Sequence, residues 1–395
     1  MKDHLDPSSN NVPDSLPASG VRSLRELIDL VTGKSFKSTD ISEESGLAER
    51  LPFPFLGIVG QEEMKIALLL AVINPLVSGV LLVGPRGTGK TTAVRSMVNL
   101  MPLVNRSTCF YGCLPEDIET GGIESVCPDC ARKYGEGVPL TRPGPVRLVE
   151  LPLNTQLNDL IGRLDEKTPA HERMRLQRGI LSLADQNVLY IDEVNLLSNE
   201  LVDAILDASA QGTYTVRNSS FSATYRSRFS LIGSMNPEEG NLRPQIMDRF
   251  GLRVIIQGLQ SPKERLEAYE RVRAYRRNPR EVVQNFEAES EIARKEIQSA
   301  RELLPRVFLP SKVTEAGIEM IQRLNIDSLR ADITLFEAAR AYCASDGRTE
   351  VTISDLQVVA PMALRLRRSS FISQYFKDRQ QEEIELRSII QEVTS

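Results

Sequence analysis

Apolar and polar positions follow two rhythms along this chain. From Leu51 to about residue 260, short strand-like runs rich in apolar residues are separated by stretches with helical spacing. The runs are Val80–Val83, Val146–Leu151, Val188–Ile191, Phe229–Gly233 and Leu252–Ile256. Each has the length of a strand, and Val80–Val83 and Val188–Ile191 also have the wholly apolar composition of one buried on both faces. Helical spacing fills the intervals, most plainly at Thr91–Met101 and Ser198–Ala210. Strands alternating with helices predict an α/β fold with a parallel sheet covered on both sides. From Ser261 the rhythm becomes wholly helical and charged: Ser261–Arg277, Val282–Leu304, Thr314–Leu324, Ala331–Ser345 and Ser354–Arg367. The expectation is an α/β domain over 51–260 and an all-α domain over 261–373.

The two ends read differently. Residues 1–50 begin MKDHLDPSSNNVPDSLPASG, without the apolar core of a signal peptide, and read as a disordered leader with one short helix at Ser23–Val31. Residues 374–395 read as a charged helix. Ile66–Gly84 is apolar enough to suggest a membrane span. Asn74-Pro75 interrupts it, and a phosphate-binding motif ends it, so a buried helix, a turn and a buried strand are expected instead. No membrane span and a cytoplasmic protein follow from that reading. The segment 214–225, two β-rich runs around Asn218-Ser-Ser, reads as a hairpin.

Composition changes this picture little. The net charge of −5 and the absence of Trp argue against a broad nucleic-acid footprint, so no nucleic-acid partner is expected.

The chemistry lies in the motifs. Gly84-Pro85-Arg86-Gly87-Thr88-Gly89-Lys90-Thr91 follows an apolar strand and opens a helix, the setting a phosphate-binding loop requires. Backbone N–H groups and the helix N-terminus would cradle the phosphates of ATP. Lys90 would reach the β/γ-phosphates and Thr91 would hold Mg²⁺. A second apolar strand ends in Asp192-Glu193. Beside the loop, Asp192 would face Mg²⁺ and Glu193 would polarise the attacking water; apart from it, the pair would merely cap the next helix. A third strand runs into Asn236-Pro, either a water-orienting amide or a turn former. Arg249, in Arg243-Pro-Gln-Ile-Met-Asp-Arg249, is either a catalytic arginine or a surface ion pair. Arg330 stands at a predicted helix start.

Cys109, Cys113, Cys127 and Cys130 fall within one loop. Two close pairs suit a tetrahedral zinc site, while redox-sensitive or incidental thiols are the other readings.

This set of motifs resembles the AAA+ ATPases, and longer strings resemble magnesium chelatase subunit I in particular. They are Ile58-Val59-Gly60-Gln61, Val149-Glu-Leu-Pro-Leu153, Tyr190-Ile-Asp-Glu-Val-Asn-Leu-Leu197 and Asn236-Pro-Glu-Glu-Gly240 running into Arg243–Gly251. Ser234-Met235 stands before Asn236 where the family usually has Gly. The resemblance covers about residues 52 to 370. It implies that Asn236 is a first sensor, that Arg249 completes the site of a neighbouring subunit, and that Arg330 is a second sensor. It also implies a homo-oligomeric ring, a hexamer, with two partners. One is a second AAA-like subunit with an integrin-type metal-binding domain; the other is a large porphyrin-binding subunit. The implied function is ATP-driven Mg²⁺ insertion into protoporphyrin IX. The other readings are a cobalt chelatase motor, a chaperone-like activator of a metal-binding-domain partner, or a DNA-acting motor.

Overall fold

The computed structural model describes residues 51–367 apart from 110, 166–174 and 219–220. The leader with its helix at Ser23–Val31, the C-terminal helix over 374–395, and both histidines, His4 and His171, lie outside the described residues.

Helix α1 (Glu62–Ile73) ends at Asn74, whose side-chain carbonyl accepts the Leu76 N–H at 3.0 Å. The chain then turns through Ser78 and Gly79, both at positive φ, into strand β1 (Val80–Val83). A Cβ at Gly79 would stand 2.7 Å from the Leu231 carbonyl oxygen, so glycine is required where the turn meets the sheet. The apolar stretch is thus a buried helix, a turn and a buried strand. Among the described residues no helix is long and apolar enough to cross a membrane.

Beyond β1 the order is α2 (Lys90–Met97), β2 (Val104–Ser107), α3 (Pro115–Gly121), α4 (Pro128–Gly135), β3 (Thr141–Gly144) and β4 (Leu148–Leu151). There follow α5 (Leu157–Ile161), β5 (Gly162–Asp165), β6 (Arg175–Arg178), α6 (Ile180–Ala184), β7 (Val188–Ile191) and α7 (Asn199–Gln211). Next come β8 (Thr213–Asn218), β9 (Phe221–Arg226), β10 (Ser230–Met235), α8 (Pro244–Met247) and β11 (Leu252–Ile255).

Five of these strands form a parallel sheet in the order β11-β1-β10-β7-β4. All four residues of β1 and of β7 are buried, as their unbroken apolar sequences require. Each such Val, Leu or Ile side chain contributes about 1.5–3 kcal/mol relative to exposure. The remaining strands pair as antiparallel ribbons, β2 with β3, β5 with β6, and β8 with β9. The last is the expected hairpin.

Helices α9 (Pro262–Arg277), α10 (Pro279–Asn285), α11 (Glu287–Leu303), α12 (Ser311–Arg323), α13 (Leu329–Ser345) and α14 (Ile353–Leu364) complete the described chain. One apolar core runs from Val80 and Leu82 of the sheet through Met97 to Ala338 and Val359 of these helices. Several element ends differ from expectation by a few residues, and two differences have a visible cause. The first paired residue of β4 is Leu148, opposite Val188, so Val146 and Arg147 precede the strand. The expected helix over Val282–Leu304 is two helices, because Phe286 leaves the helical conformation and turns its ring beneath the Arg271 guanidinium, 5.8 Å away.

Candidate functional site: a nucleotide cleft at the ends of three parallel strands

The sheet register decides which side chains meet. Val80 pairs with Ile232, and Gly233 pairs with Ile191, so β1, β10 and β7 end side by side. At that edge of a parallel sheet, ligands are bound by the loops that follow the strands. The loop Gly84–Gly89 follows β1, Asp192-Glu193 follow β7, and Asn236 follows β10.

Within the loop, Gly87 and Gly89 have φ of 78° and 88°, and a Cβ at either would meet nothing within 4 Å. Backbone is therefore presented directly to open space at the start of α2, as phosphate oxygens require. Lys90 is buried, and its ammonium donates to the Gly84 and Pro85 carbonyls at 2.6 and 2.8 Å. Burial lowers its pKa below the ordinary lysine value, while Asp192, Glu193 and Glu239 act in the opposite direction. The Thr91 hydroxyl lies 3.2 Å from an Asp192 oxygen, so a hydroxyl and a carboxylate face one point in the manner of a Mg²⁺ site.

Asp192 is held from behind. The Tyr190 hydroxyl donates to it at 2.9 Å, and the Ser234 hydroxyl donates to the same oxygen. Burial raises the Tyr190 pKa, so this phenol stays a protonated donor. Glu193 has φ 56°, and its N–H donates to Ser234 at 3.3 Å. Its carboxylate pairs with Arg86 at 2.9 Å, and Arg86 also pairs with Glu239 at 2.5 Å.

Asn236 is 3% exposed. Its carbonyl accepts the Glu238 N–H at 3.3 Å and its amide donates to Glu239 at 3.2 Å. It therefore caps the turn after β10 and also belongs to the polar cluster around Glu193. Ser234, Tyr190 and Glu239 were not singled out as site residues from sequence. Ser234 was visible only as a departure from the usual Gly, and its role depends on strand pairing.

Beside the loop lies a cleft of about 540 Å³. Its lining includes Ile58, Val59, Gln61, Leu259, Arg271 and Tyr275, together with Gly87 and Thr88. A largely apolar slot adjoining a phosphate cradle suits a nucleotide base.

The two other arginines stand elsewhere. Arg249 pairs with Asp207 of α7, and Arg243 lies 3.5 Å from Asp203 on the same helix. Arg330 lies 3.5 Å from Asp248, which also receives Arg367 at 2.7 Å, Ser328 at 2.8 Å and Arg253 at 3.4 Å. Burial is the largest influence on Asp248 and would raise its pKa. The Ser328 hydrogen bond and the charges of Arg367, Arg253 and Arg330 outweigh it and hold the carboxyl below its ordinary value. Neither Arg249 nor Arg330 is among the residues lining the cleft.

The four cysteines form a separate cluster. The sulfurs of Cys109, Cys113, Cys127 and Cys130 all lie within 4.8 Å of one another, and the last three residues are buried. The hydrogen bond between the Cys113 and Cys109 thiols, the largest influence on both, lowers the pKa of Cys109 and raises that of Cys113.

Two families match parts of the sequence: the MCM P-loop domain over residues 158–264 and the AAA lid domain over residues 316–389. The chain is 41% identical to the magnesium-chelatase subunit ChlI homolog of Methanocaldococcus jannaschii, over 81% of this chain and 87% of that one. It is 37% identical to the magnesium-chelatase subunit ChlI of Nostoc sp., over 83% and 87%. It is also similar to a chain from the cryo-EM reconstruction of the complex between subunits BchI and BchD of magnesium chelatase. That match has 34% identity, covers 81% of this chain and 98% of the other, and has a TM-score of 0.46. With relatives aligned along most of both lengths, and a phosphate loop, an acidic strand end and an Asn-capped strand meeting at one edge of the parallel sheet, the chain belongs to the magnesium-chelatase subunit ChlI family of AAA+ ATPases.

Proposed function

We propose that this chain is the ATP-hydrolysing, ring-forming motor subunit of magnesium chelatase, working in the cytoplasm to drive Mg²⁺ insertion into protoporphyrin IX. The observation that carries the reading is the convergence of Lys90, Thr91, Asp192 and Glu193 in a chain whose relatives bear that name. The loop amides and Lys90 bind and orient the triphosphate. Thr91 and Asp192 would hold Mg²⁺, which would supply neutralisation of the phosphate charge. Tyr190 and Ser234 keep the Asp192 carboxylate aimed, and Glu193 accepts the proton of the attacking water. Asn236 orients that water from the neighbouring strand end.

The Arg249 pair with Asp207 is partly exposed, so its loss costs little, about 0–1 kcal/mol. That leaves Arg249 free to reach the nucleotide of a neighbour in a hexameric ring, where it stabilises charge on the transferred phosphoryl group. Arg330 pairs with Asp248, the residue before Arg249, and so links the helical region to that arginine. The partners are a second AAA-like subunit with an integrin-type metal-binding domain and a large porphyrin-binding subunit. The four cysteines hold structural zinc outside this chemistry.

Reconstituted Mg²⁺ insertion into protoporphyrin IX, with matching partner subunits and ATP, tests the proposal. Insertion should require this chain and vanish with Glu193→Gln. ATP hydrolysis without insertion of magnesium would leave a motor for cobalt chelation or for activating another metal-binding-domain partner.

A further inference from the structure

The region between β2 and β3 has little to hold it together. Its own core consists of Val126, Leu140 and three of the cysteines, with Cys109, Tyr111, Ile118 and Ala131 packed against them. A patch this small does not hold helices α3 and α4 in place by apolar burial alone. What it contains is four convergent sulfurs. Tetrahedral thiolate coordination, with zinc–sulfur bonds of about 2.3 Å, puts sulfurs about 3.8 Å apart. The observed limit of 4.8 Å is therefore within a small contraction of a closed site. The surrounding donors already point at sulfur. The Cys113 N–H donates to Cys109 and the Cys127 N–H to Cys113, each at 3.3 Å. The Ser107 hydroxyl lies 3.4 Å from the Cys109 sulfur. Such hydrogen bonds are the outer support that stabilises metal-bound thiolates. A single disulfide would use two of the four sulfurs and leave two buried thiols beside it.

The cluster reaches further than its own loop. Cys113 is followed by Leu114 and the first turn of α3, where Asp117 accepts the Leu114 N–H at 2.8 Å. Asp117 and its neighbour Glu116 face outwards onto Arg226, at 2.7 and 3.0 Å, and Glu116 also lies 3.4 Å from Arg228. Arg226 pairs with Thr213 at the base of the β8–β9 hairpin, and β10, which carries Ser234, begins at Ser230.

We propose that the four cysteines bind one zinc-class divalent ion whose role is to brace this hairpin. The ion fixes the start of α3, and the two acids of α3 clamp the hairpin at its base. This rests on the zinc reading of the cluster and adds a mechanical consequence to it.

The test uses the full chain purified without added metal. Elemental analysis should find one zinc per chain, lost in Cys127→Ser with Cys130→Ser. Cobalt substitution should give the visible bands of a tetrahedral tetrathiolate site. Hydrogen exchange of peptides covering β8 and β9 should then quicken roughly tenfold or more on metal removal, while peptides from β1 and β7 stay protected. Arg226→Gln should retain zinc and show the same loosening of the hairpin, which separates loss of the clamp from unfolding of the loop. Absence of bound metal overturns both the site and the brace. Bound zinc, with hairpin exchange unchanged on its removal, overturns the brace and leaves the zinc reading standing.

Discussion

Glu193 occupies the left-handed region at φ 56°, a conformation that costs a non-glycine residue on the order of 1 kcal/mol. It is kept there by the Ser234 hydroxyl, which takes its N–H, and by Arg86, which takes its carboxylate. Replacing Glu193 by Gln preserves size and a hydrogen-bond acceptor for Arg86 but removes the carboxylate proposed as the base. Turnover should fall by about 10²–10⁴-fold with nucleotide binding kept, as single-turnover hydrolysis and a nucleotide-binding titration would show. Ser234→Ala removes support from both Asp192 and Glu193 without touching nucleotide. It should raise the Mg²⁺ concentration needed for half-maximal hydrolysis and cut kcat by roughly tenfold, the cost of about one hydrogen bond to a charged group. An unchanged Mg²⁺ dependence would refute that role. At this scale the sequence was informative wherever chemistry is written as a contiguous string, as in Gly84–Thr91. It was silent on Tyr190, Ser234 and Glu239, which become site residues only when strands far apart in sequence lie side by side.

Among the elements, β1 and β7 were legible because a strand buried on both faces must be apolar throughout, while β4, β10 and β11 each carry a polar residue and were read from their apolar-rich runs between helices. The ribbons were less so. β2 reads Val-Asn-Arg-Ser and β3 reads Thr-Arg-Pro-Gly, without alternation and with a proline, so neither carries a strand signal. Only the β8–β9 hairpin, with its β-branched and aromatic residues, announced itself. Helix α14 shows how an element end controls stability. Asp355 accepts the Thr352 N–H at 2.8 Å and pairs with Arg348 at 2.6 Å, almost fully buried. Burial, the largest influence, would raise the Asp355 pKa, but the Arg348 and Thr352 hydrogen bonds together bring it below the ordinary carboxylate value. Asp248 is lowered likewise. The stability these groups contribute is present above the unfolded-state pKa of about 4 and is lost as pH falls through their lower folded values. Tm should therefore drop between pH 5 and pH 3, and Asp355→Asn should lower Tm at pH 7 while making that acid slope shallower. The neutral-pH cost should be about 2 kcal/mol, from a broken cap and a half-exposed ion pair, read by denaturant unfolding.

For the whole molecule, the ring reading makes a prediction no single subunit can satisfy. Arg249→Ala should bind ATP normally and hydrolyse it poorly. Lys90→Ala should fail to bind, yet its own Arg249 is intact. Mixing the two inactive proteins should restore part of the ATPase activity, because intact sites of the first then receive arginines from the second. Mixtures no more active than their parts would rule out an arginine donated in trans. The helices after residue 261 share one continuous core with the sheet, so movement there is felt at β1. The ring reading comes only from resemblance, since nothing in one chain's periodicity encodes its neighbours.

The placement of β1 between β10 and β11 also bears on how the protein is made. Val80 has to wait for Ile232 and Leu252, its partners on either side. At about 5–20 residues per second, the interval before β11 is synthesised is on the order of ten to thirty seconds. During that time the ribosome holds out a four-residue apolar strand, preceded by an apolar helix, with neither sheet partner in existence. A nascent chain stalled before β11 should therefore be bound by trigger-type holding chaperones and cut readily by protease. Release from both should come abruptly once β11 has cleared the exit tunnel.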